Sequence, residues 1–426
     1  MQRTRRTFLT GISCLSASAL AGQAAAQPAA EARVPTAPQR VARLPAWRYG
    51  DSSVADDTLL MFRGNGPHTF YGTGPIPEKA PEIVWRFRTA SYSTVNHGVP
   101  TLWSGTGWTG TAVKLGDYVY VGSVGGYVYA FEAMTGELIW QLASGGMFKG
   151  SCCAFENRLY IGNTDNLLRC IDAQTGRIVW TYDTGNDLDS SPCVIAGKLY
   201  VAGENGFVRC LDPRSGQLLW KTFVGGIGEG TLLGSNGSET SPAIADGELY
   251  GATYDGELYK IDINSGEKRW VANVGDDTDA SVTIAGDFIY TAAEEKASYL
   301  CCLARADGKE VWRYAGNALG YWSTPAVAEG RVHIGGEDTT LHTLDARSGA
   351  VLWTFKTGDG IWSSPSVVGG RVIFGSRDFN LYCLDAASGT EVWRVKLDGR
   401  IISSPCIVGG KIWIGTATGY FYCLSA

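Results

Sequence analysis

The chain has 426 residues, 45% of them hydrophobic, and its 42 acidic and 36 basic residues give a formal net charge of −6. This balance argues against nucleic acid as a partner, because nucleic-acid binding requires a basic face. The length alone would allow two or three domains, but an internal repeat indicates one large closed unit.

The first 26 residues have the pattern of a twin-arginine export signal. Paired Arg5 and Arg6 precede a mildly apolar stretch, and a run of small residues ends at Ala26. Such a segment is too short and too mildly apolar to anchor a chain in a membrane. We therefore expect residues 1–26 to be removed on export to the periplasm, and no transmembrane segment in the mature chain. A lipid anchor at Cys14 is the alternative, but GISC is a poor match to a lipobox.

Residues 27–57 are rich in Ala, Pro and Arg and are interpreted as a flexible linker. Residues 58–426 are predicted to form a single domain. Most of this domain repeats a unit of about 40 residues, in which an Asp-like residue is followed four positions later by Gly and eight positions later by Trp. The seven copies end at Trp140, Trp180, Trp220, Trp270, Trp312, Trp353 and Trp393.

Each copy predicts four short antiparallel strands separated by turns that contain glycine. In the third copy these are Ser190–Gly197, Lys198–Gly206, Phe207–Asp212 and Gln217–Phe223. No helical periodicity persists in the mature chain. Four strands in 40 residues are typical of a propeller blade, with the tryptophan packed over the neighbouring blade.

Eight pairs of first and second strands can be counted, but the eighth copy ends at FYCLSA without a fourth strand. The segment Glu82–Thr89 (EIVWRFRT) resembles the fourth strand Thr390–Leu397 (TEVWRVKL) and carries an eighth tryptophan, Trp85. The sequence therefore predicts an all-β fold, an eight-bladed β-propeller of four-stranded antiparallel blades. The N-terminal strand near Trp85 is expected to join the last blade and close the ring, which removes both open edges.

The motif A-x-D-x-x-[TS]-G-x-x-x-W resembles the tryptophan-docking repeat of the pyrroloquinoline-quinone (PQQ) type propellers, over about residues 82–426. The resemblance implies the propeller fold. It is weaker for function, because the repeat is shared by quinoprotein alcohol dehydrogenases and by propellers without a cofactor, such as the outer-membrane assembly lipoprotein.

Most cysteines occupy repeated positions and are interpreted as small core residues. Cys152 departs from this pattern and is adjacent to Cys153. Quinoprotein dehydrogenases carry an adjacent-cysteine disulfide beside the quinone, so the resemblance implies Cys152 and Cys153 as cofactor-binding candidates. A pair of buried core thiols is the alternative.

The residues just before each inner strand are expected to line one mouth of the central channel. Acids gathered there could hold a cation, and the tryptophans could stack a quinone or sugar ring. The alternative is that the acids form turns and the tryptophans fill the channel. No matched set of metal ligands and no catalytic aspartate can be carried over from the quinoproteins. The metal candidates are Asp187, Asp189, Glu239 and Asp279, with Asp277 nearby, and the aromatic candidates are Trp108, Trp322 and Trp362.

Two irregular segments, Ser91–Thr111 and Gly225–Glu239, lengthen the repeat and enter inner strands from this same mouth. Loops on a rigid scaffold commonly carry function. We therefore expect a monomeric, exported, non-catalytic binding or scaffold protein with a protein or glycan partner in the envelope and no cofactor. The alternative is a quinoprotein alcohol or sugar dehydrogenase that uses PQQ and Ca²⁺.

Overall fold

The computed structural model describes residues 58–96, 99–106, 110–225, 237–275, 277–294, 298–317 and 319–425. The export signal, the linker and Cys14 lie outside these residues. The described part of the chain contains strands and turns but no helix. It accordingly has no helix long and apolar enough to cross a membrane.

Eight four-stranded antiparallel sheets and one hairpin make up the fold. Strand β1 (Glu82–Arg88) is followed by the hairpin of β2 (Ser91–Asn96) and β3 (Val99–Ser104). Blade 1 contains β4 (Val113–Leu115), β5 (Tyr118–Gly122), β6 (Tyr127–Glu132) and β7 (Leu138–Ala143). Blade 2 contains β8 (Cys153–Phe155), β9 (Arg158–Ile161), β10 (Leu167–Asp172) and β11 (Ile178–Asp183). Blade 3 contains β12 (Cys193–Ile195), β13 (Lys198–Ala202), β14 (Phe207–Leu211) and β15 (Leu218–Phe223).

The remaining blades repeat this order. Blade 4 contains β16 (Ala243–Ala245), β17 (Glu248–Ala252), β18 (Glu257–Asp262) and β19 (Lys268–Asn273). Blade 5 contains β20 (Thr283–Ala285), β21 (Phe288–Ala292), β22 (Leu300–Ala304) and β23 (Glu310–Tyr314). Blade 6 contains β24 (Ala326–Ala328), β25 (Arg331–Gly335), β26 (Thr340–Asp345) and β27 (Val351–Lys356). Blade 7 contains β28 (Ser366–Val368), β29 (Arg371–Gly375), β30 (Asn380–Asp385) and β31 (Glu391–Lys396), and blade 8 contains β32 (Cys406–Val408), β33 (Lys411–Gly415) and β34 (Tyr420–Ser425).

Strand β1 supplies the fourth strand of blade 8. It pairs antiparallel with β34, and Trp85 lies opposite Cys423. This confirms the predicted eight-bladed ring and its closure. The pairing joins the two ends of the chain in one sheet, so neither end of the ring leaves an open blade.

The repeated tryptophans lie between adjacent blades. The indole N–H of Trp140 donates to the carbonyl of Ala173 at 2.9 Å, in the turn before the last strand of the next blade. Gly176 in that turn has a φ of +71°, and a Cβ there would lie 2.7 Å from the Trp140 ring. Glycine is therefore required both for the left-handed turn and for the close approach of the indole. Six of the eight indoles donate in this way, from Trp85, Trp140, Trp180, Trp220, Trp312 and Trp353.

Two positions depart from the pattern. Trp393 donates to the carbonyl of Pro77 at 2.8 Å, so the segment before β1 replaces the turn that blade 8 lacks. The Nε1 of Trp270 is buried and has no hydrogen-bond partner among the described residues.

A ring of hydrogen bonds surrounds the channel at the start of the inner strands. The backbone N–H of Ser151 donates to the hydroxyl of Ser191 at 2.9 Å, and Ser191 repeats this contact to Ser241. The sequence of links continues around the ring, and Ser404 closes it by donating to the carbonyl of Gly110. The recurrent hydroxyl residues thus pair the innermost backbone groups, which would otherwise be buried without partners. The other links start from Thr111, Ser241, Ser281, Thr324 and Ser364.

The segment Thr58–Thr73, here called the lead-in segment, crosses the channel past the inner strands. At its start, Leu59 and Lys114 of blade 1 form two backbone hydrogen bonds with each other. At its end, the N–H of Thr73 donates to the carbonyl of Ile407 in blade 8. Between these ends, the segment accepts or donates hydrogen bonds at inner strands of blades 2, 4, 5, 6 and 7. The lead-in segment therefore fills the channel and ties most of the ring together from the inside.

One position in the second strands carries a buried histidine where most blades have a tyrosine. The hydroxyl of Tyr160 donates at 3.0 Å to the carbonyl of Pro213, which also accepts from a docking indole. His333 in blade 6 is fully buried, holds Thr343 through Nδ1, and has no partner for Nε2 among the described residues. Burial lowers the pKa of His333 to about 3, with a smaller contribution from Arg331.

We predict that His333→Tyr stabilises the ring, most strongly in acid. A folded pKa below the unfolded value of ~6.5 means that the unfolded chain binds more protons, so stability is lost as the pH falls below that value. Tyrosine removes this penalty, worth about 3 kcal/mol at pH 4.5, and its hydroxyl can reach the carbonyl of Ala386 that already accepts from Trp353. Urea unfolding at pH 7 and pH 4.5 measures the change. An unchanged pH dependence in the variant would contradict the prediction.

Candidate functional site

The mouth of the channel opens into a small cup. Its walls are the residues that precede the inner strands, and Phe62 of the lead-in segment lies among the lining residues. Because the lead-in segment bonds the inner strands deeper in the channel, it forms the floor. The cup holds about 470 Å³ of atom-free space, including its open entrance. It is a blind recess at one end of the ring.

Equivalent positions of successive blades lie around the mouth of the channel, two residues before each hydroxyl of the hydrogen-bonded ring. These positions give the cup two unlike sides. Blades 2 to 5 present ionisable groups, and blades 6 and 7 present indoles. In blade order the residues are Lys149, Asp189, Glu239, Asp279, Trp322 and Trp362.

Two groups of three carboxylates form the acidic side. In each group the nearest oxygens lie within 4.8 Å of one another. Glu204 and Glu294 are not among the metal candidates of the sequence analysis. Each lies in the turn between the second and third strands of its blade, and that shared position is the signal that could have identified them. The first group is Asp189, Glu204 and Glu239, and the second is Asp277, Asp279 and Glu294.

Lys149 places an ammonium group against the first carboxylate group. It forms an ion pair with Asp189, whose side chain is only 3% exposed. Burial lowers the pKa of Lys149, but Asp189 and Glu239 raise it more strongly, so its pKa is raised overall. Tyr254 donates its hydroxyl to Glu239. The first group thus has an internal cation and a hydroxyl donor.

Burial and neighbouring carboxylates raise the pKa values of two further acids of the cup. Burial, followed by the charges of Asp189 and Glu239, raises the pKa of Glu204. Burial, followed by Glu239 and Glu294, raises the pKa of Asp279. The Oδ1 atoms of Asp189 and Asp279 are buried without a hydrogen-bond partner among the described residues. The acidic side therefore has unmet capacity for a cation or a hydrogen-bond donor.

On the aromatic side the side chains contact one another, and only one of the two indoles lines the cup. The rings of Trp322 and Trp362 lie 5.3 Å apart at 34°. Arg377 covers Trp362 at 4.7 Å from the ring centroid, and Glu337 accepts hydrogen bonds from both of these side chains at 2.6 Å. Trp322, but not Trp362, is among the residues that line the cup.

The other sequence candidates lie elsewhere. Cys152 and Cys153 have free thiols and are 1% and 0% exposed, in the apolar cores between blades. Neither is among the residues that line the cup. Asp187 belongs to neither carboxylate group, although its backbone carbonyl accepts from the N–H of Glu204. Trp108 and residues 226–236 of the second irregular segment lie outside the described residues.

The first irregular segment forms a hairpin beside the mouth. Its strands β2 and β3 pair with each other and with no blade. Ser104 donates to the carbonyl of Ala417 in the last turn of blade 8, and Tyr92 donates to Gly145 between blades 1 and 2, at 2.9 Å in both cases. Leu102 is 68% exposed on the hairpin. Leu102 is thus an exposed apolar side chain on a hairpin that does not belong to any blade.

Comparisons with known proteins agree with this architecture. The profile of the family described as "Outer membrane protein assembly factor BamB" matches residues 79–314, 318–380 and 337–426. A search of curated proteins gave no match.

Three solved structures illustrate the range of similar folds. A europium-containing methanol dehydrogenase is 14% identical with a TM-score of 0.73, covering 88% of this chain and 99% of that one. Quinohemoprotein alcohol dehydrogenase from Comamonas testosteroni is 14% identical with a TM-score of 0.68, over 86% and 80% of the two chains. BamB from Moraxella catarrhalis is 16% identical with a TM-score of 0.56, over 82% and 100%. At these identities the likeness shows the fold alone.

Proposed function

We propose that this chain, which belongs to the family described as outer membrane protein assembly factor BamB, is a non-catalytic binding or scaffold protein of the cell envelope. The twin-arginine pattern at Arg5 and Arg6 supports export in the folded state. We propose that its partner is a protein, which it contacts at the mouth of the ring.

The observation that carries the proposal is the closed channel. The lead-in segment runs from blade 1 to blade 8 through the space that a deep ligand would need, and its Arg63 and His68 are buried there. What remains is a shallow cup with the hairpin β2–β3 beside it. A rigid ring with a raised, partly apolar loop at one end suits recognition of another macromolecule better than enclosure of a reacting substrate.

The residues of the cup fit PQQ poorly. The quinone is a flat tricarboxylate, and it needs cations for its carboxylates and two flat surfaces for its rings. The cup has Trp322 from blade 6, but blades 3, 4 and 5 line it with the carboxylates of Asp189, Glu239 and Asp279. Its lysine, Lys149, is already paired with Asp189, and nearby Arg377 is paired with Glu337. An anionic cofactor would therefore meet a repulsive wall.

Site-directed photocrosslinking in cells tests the proposal. A photoreactive residue at Leu102 should give a discrete crosslinked protein product. The control is the same residue at Lys309, which is exposed in the turn between β22 and β23 at the opposite end of the ring. We expect no such product from position 309. Failure of Leu102 to crosslink, or identical products from both positions, would contradict a partner at the mouth.

One observation favours a second candidate, a quinoprotein alcohol or sugar dehydrogenase. The two carboxylate groups could supply oxygen ligands for Ca²⁺ beside Trp322. In that reading Ca²⁺ would supply the missing positive charge for the quinone. Reconstitution with PQQ and Ca²⁺ separates the two candidates. Alcohol-dependent dye reduction that is lost in Asp279→Asn would establish the dehydrogenase, whereas we expect no quinone absorbance to remain after gel filtration.

A further inference from the structure

An exposed apolar patch lies where the last blade meets the first, at the end of the ring opposite the mouth. Its four side chains, here called the closure patch, are each between 36% and 46% exposed. The indole of Trp85, which follows two of them in β1, donates to the carbonyl of Ala133, which precedes a third. The hydrogen bond of the ring closure therefore brings these side chains into one region. The closure patch consists of Ile83, Val84, Met134 and Leu138.

The closure patch departs from the repeat at its central residue. Met134 occupies an exposed turn position that carries a polar residue or alanine in the other six copies of the motif. Grouped apolar side chains on the surface of a monomeric ring mark a contact surface. The equivalent residues of the other copies are Gln174, Arg214, Asn264, Ala306, Arg347 and Ala387.

Exposed carboxylates border the closure patch. Glu82 and Glu137 each directly precede a member of the patch. The carbonyl of Asp117 accepts from the N–H of Ala133 in the turn. Within the described part of the chain, none of these three acids forms an ion pair. The closure patch therefore suits an apolar segment that also carries positive charge.

The chain that precedes the described residues leaves the ring at this same end. Gly110, just before β4, lines the cup, so β4 runs away from the mouth. Leu59 pairs antiparallel with Lys114 of β4, and the chain before Thr58 therefore points to the opposite end. The inner and outer strands of a blade lie about 14 Å apart, whereas nine extended residues span about 30 Å. Residues up to position 49 can thus reach the closure patch.

Residues 40–49, with the sequence RVARLPAWRY, have the complementary chemistry. They include three arginines and no acid, together with Leu44, Trp47 and Tyr49. They follow the expected signal peptide, so they remain in the mature chain. We propose that residues 40–49 dock on the closure patch, with their apolar side chains on Met134 and its neighbours and their arginines against the bordering acids. This inference goes beyond the proposed function, because it concerns the end of the ring opposite the mouth.

Limited trypsin digestion of the mature exported protein tests the inference, because the chain provides two matched cleavage sites. Arg43 lies inside the docked segment and Arg33 lies before it, and each is followed by an apolar residue and then proline. Docking protects the backbone from the protease. We therefore expect cleavage after Arg43 to be at least tenfold slower than cleavage after Arg33, as measured by mass spectrometry of the products. Equal rates at the two sites would overturn the inference.

Variants of both partners separate docking from a general resistance of the segment. Met134→Lys places a like charge in the closure patch, so cleavage after Arg43 should become at least tenfold faster. Ala387→Lys, the same change at the equivalent exposed turn position of blade 7, should leave that rate unchanged. Trp47→Ser should act like Met134→Lys, and the double variant should be no faster than either single one, because the same contact is lost. Unchanged cleavage in folded Met134→Lys, or additive effects in the double variant, would overturn the inference.

Discussion

Replacing Trp85 by alanine is expected to lower the free energy of unfolding by about 3–5 kcal/mol, the usual cost of truncating a buried tryptophan. Trp85 is 9% exposed and donates at 3.0 Å to the carbonyl of Ala133 in blade 1. Its ring also packs on Phe131 of blade 1 and Phe421 of blade 8, with centroids 5.6 and 5.7 Å away. The substitution therefore removes a central contact between the last blade and the first.

Trp140→Ala is the matched control, because Trp140 makes the same hydrogen bond between two blades that are consecutive in the chain. Urea unfolding followed by tryptophan fluorescence and circular dichroism measures both variants. If the closing strand is as firmly held as an internal one, the two losses will agree within about 1 kcal/mol. A small loss for Trp85→Ala beside a full loss for Trp140→Ala would show that the ring opens readily at its closure.

The ring itself could be predicted because the repeat encodes it several times over. An Asp-like residue, a glycine and a tryptophan with the spacing of Asp172, Gly176 and Trp180 recur in seven blades, so an error in interpreting one copy is corrected by the others. Closure was predictable because EIVWRFRT resembles a fourth strand and the last copy lacks one. These patterns are local. They are required because a tight turn packs under an indole, and this contact involves only two adjacent blades.

The lead-in segment could not be predicted in this way, since it occurs once and its partners lie throughout the chain. Residues such as Leu59 and Arg63 have no counterpart in the repeat, and the hydrogen bonds of Arg63 run to a backbone group 302 residues away. Backbone carbonyls carry no sequence signal of their own. That the lead-in segment fills the channel is therefore evident only in the folded structure.

The site was predictable to the extent that it follows the repeat. Asp189, Glu239, Asp279 and Trp322 were expected at one mouth because they precede inner strands, and the structure brings them together. Glu204 and Lys149 were missed, although they also occupy repeated positions. An acid in a turn of a glycine-rich chain looks like a turn former, and its role emerges only when two loops of different blades meet at the cup.

Replacing Arg63 by methionine should destabilise the whole ring by about 1–3 kcal/mol. Arg63 is 3% exposed, and its guanidinium donates to the carbonyls of Pro365 and, at 2.9 Å, of Pro325, which precede the inner strands of blades 7 and 6. Burial lowers its pKa to about 10, so it stays charged at neutral pH. Methionine preserves most of the volume but removes the Arg63 donor from both carbonyls; the Pro325 carbonyl keeps the hydroxyl of Thr283 at 2.7 Å. The loss at Pro365 costs ~1–3 kcal/mol, partly offset because a charge is no longer buried.

Arg177→Met provides the control, because Arg177 is an exposed arginine of the same chain. We expect that change to alter the free energy of unfolding by less than ~0.5 kcal/mol. Arg63→Lys should give an intermediate loss, since one ammonium retains the charge but cannot span both carbonyls in the geometry of a guanidinium. Because Tyr71 of the same segment lies 4.5 Å from the guanidinium carbon, Arg63→Met should also expose the lead-in segment to proteolysis while Arg177→Met does not. A stable, protease-resistant Arg63→Met would show that the segment fills the channel without holding the blades together.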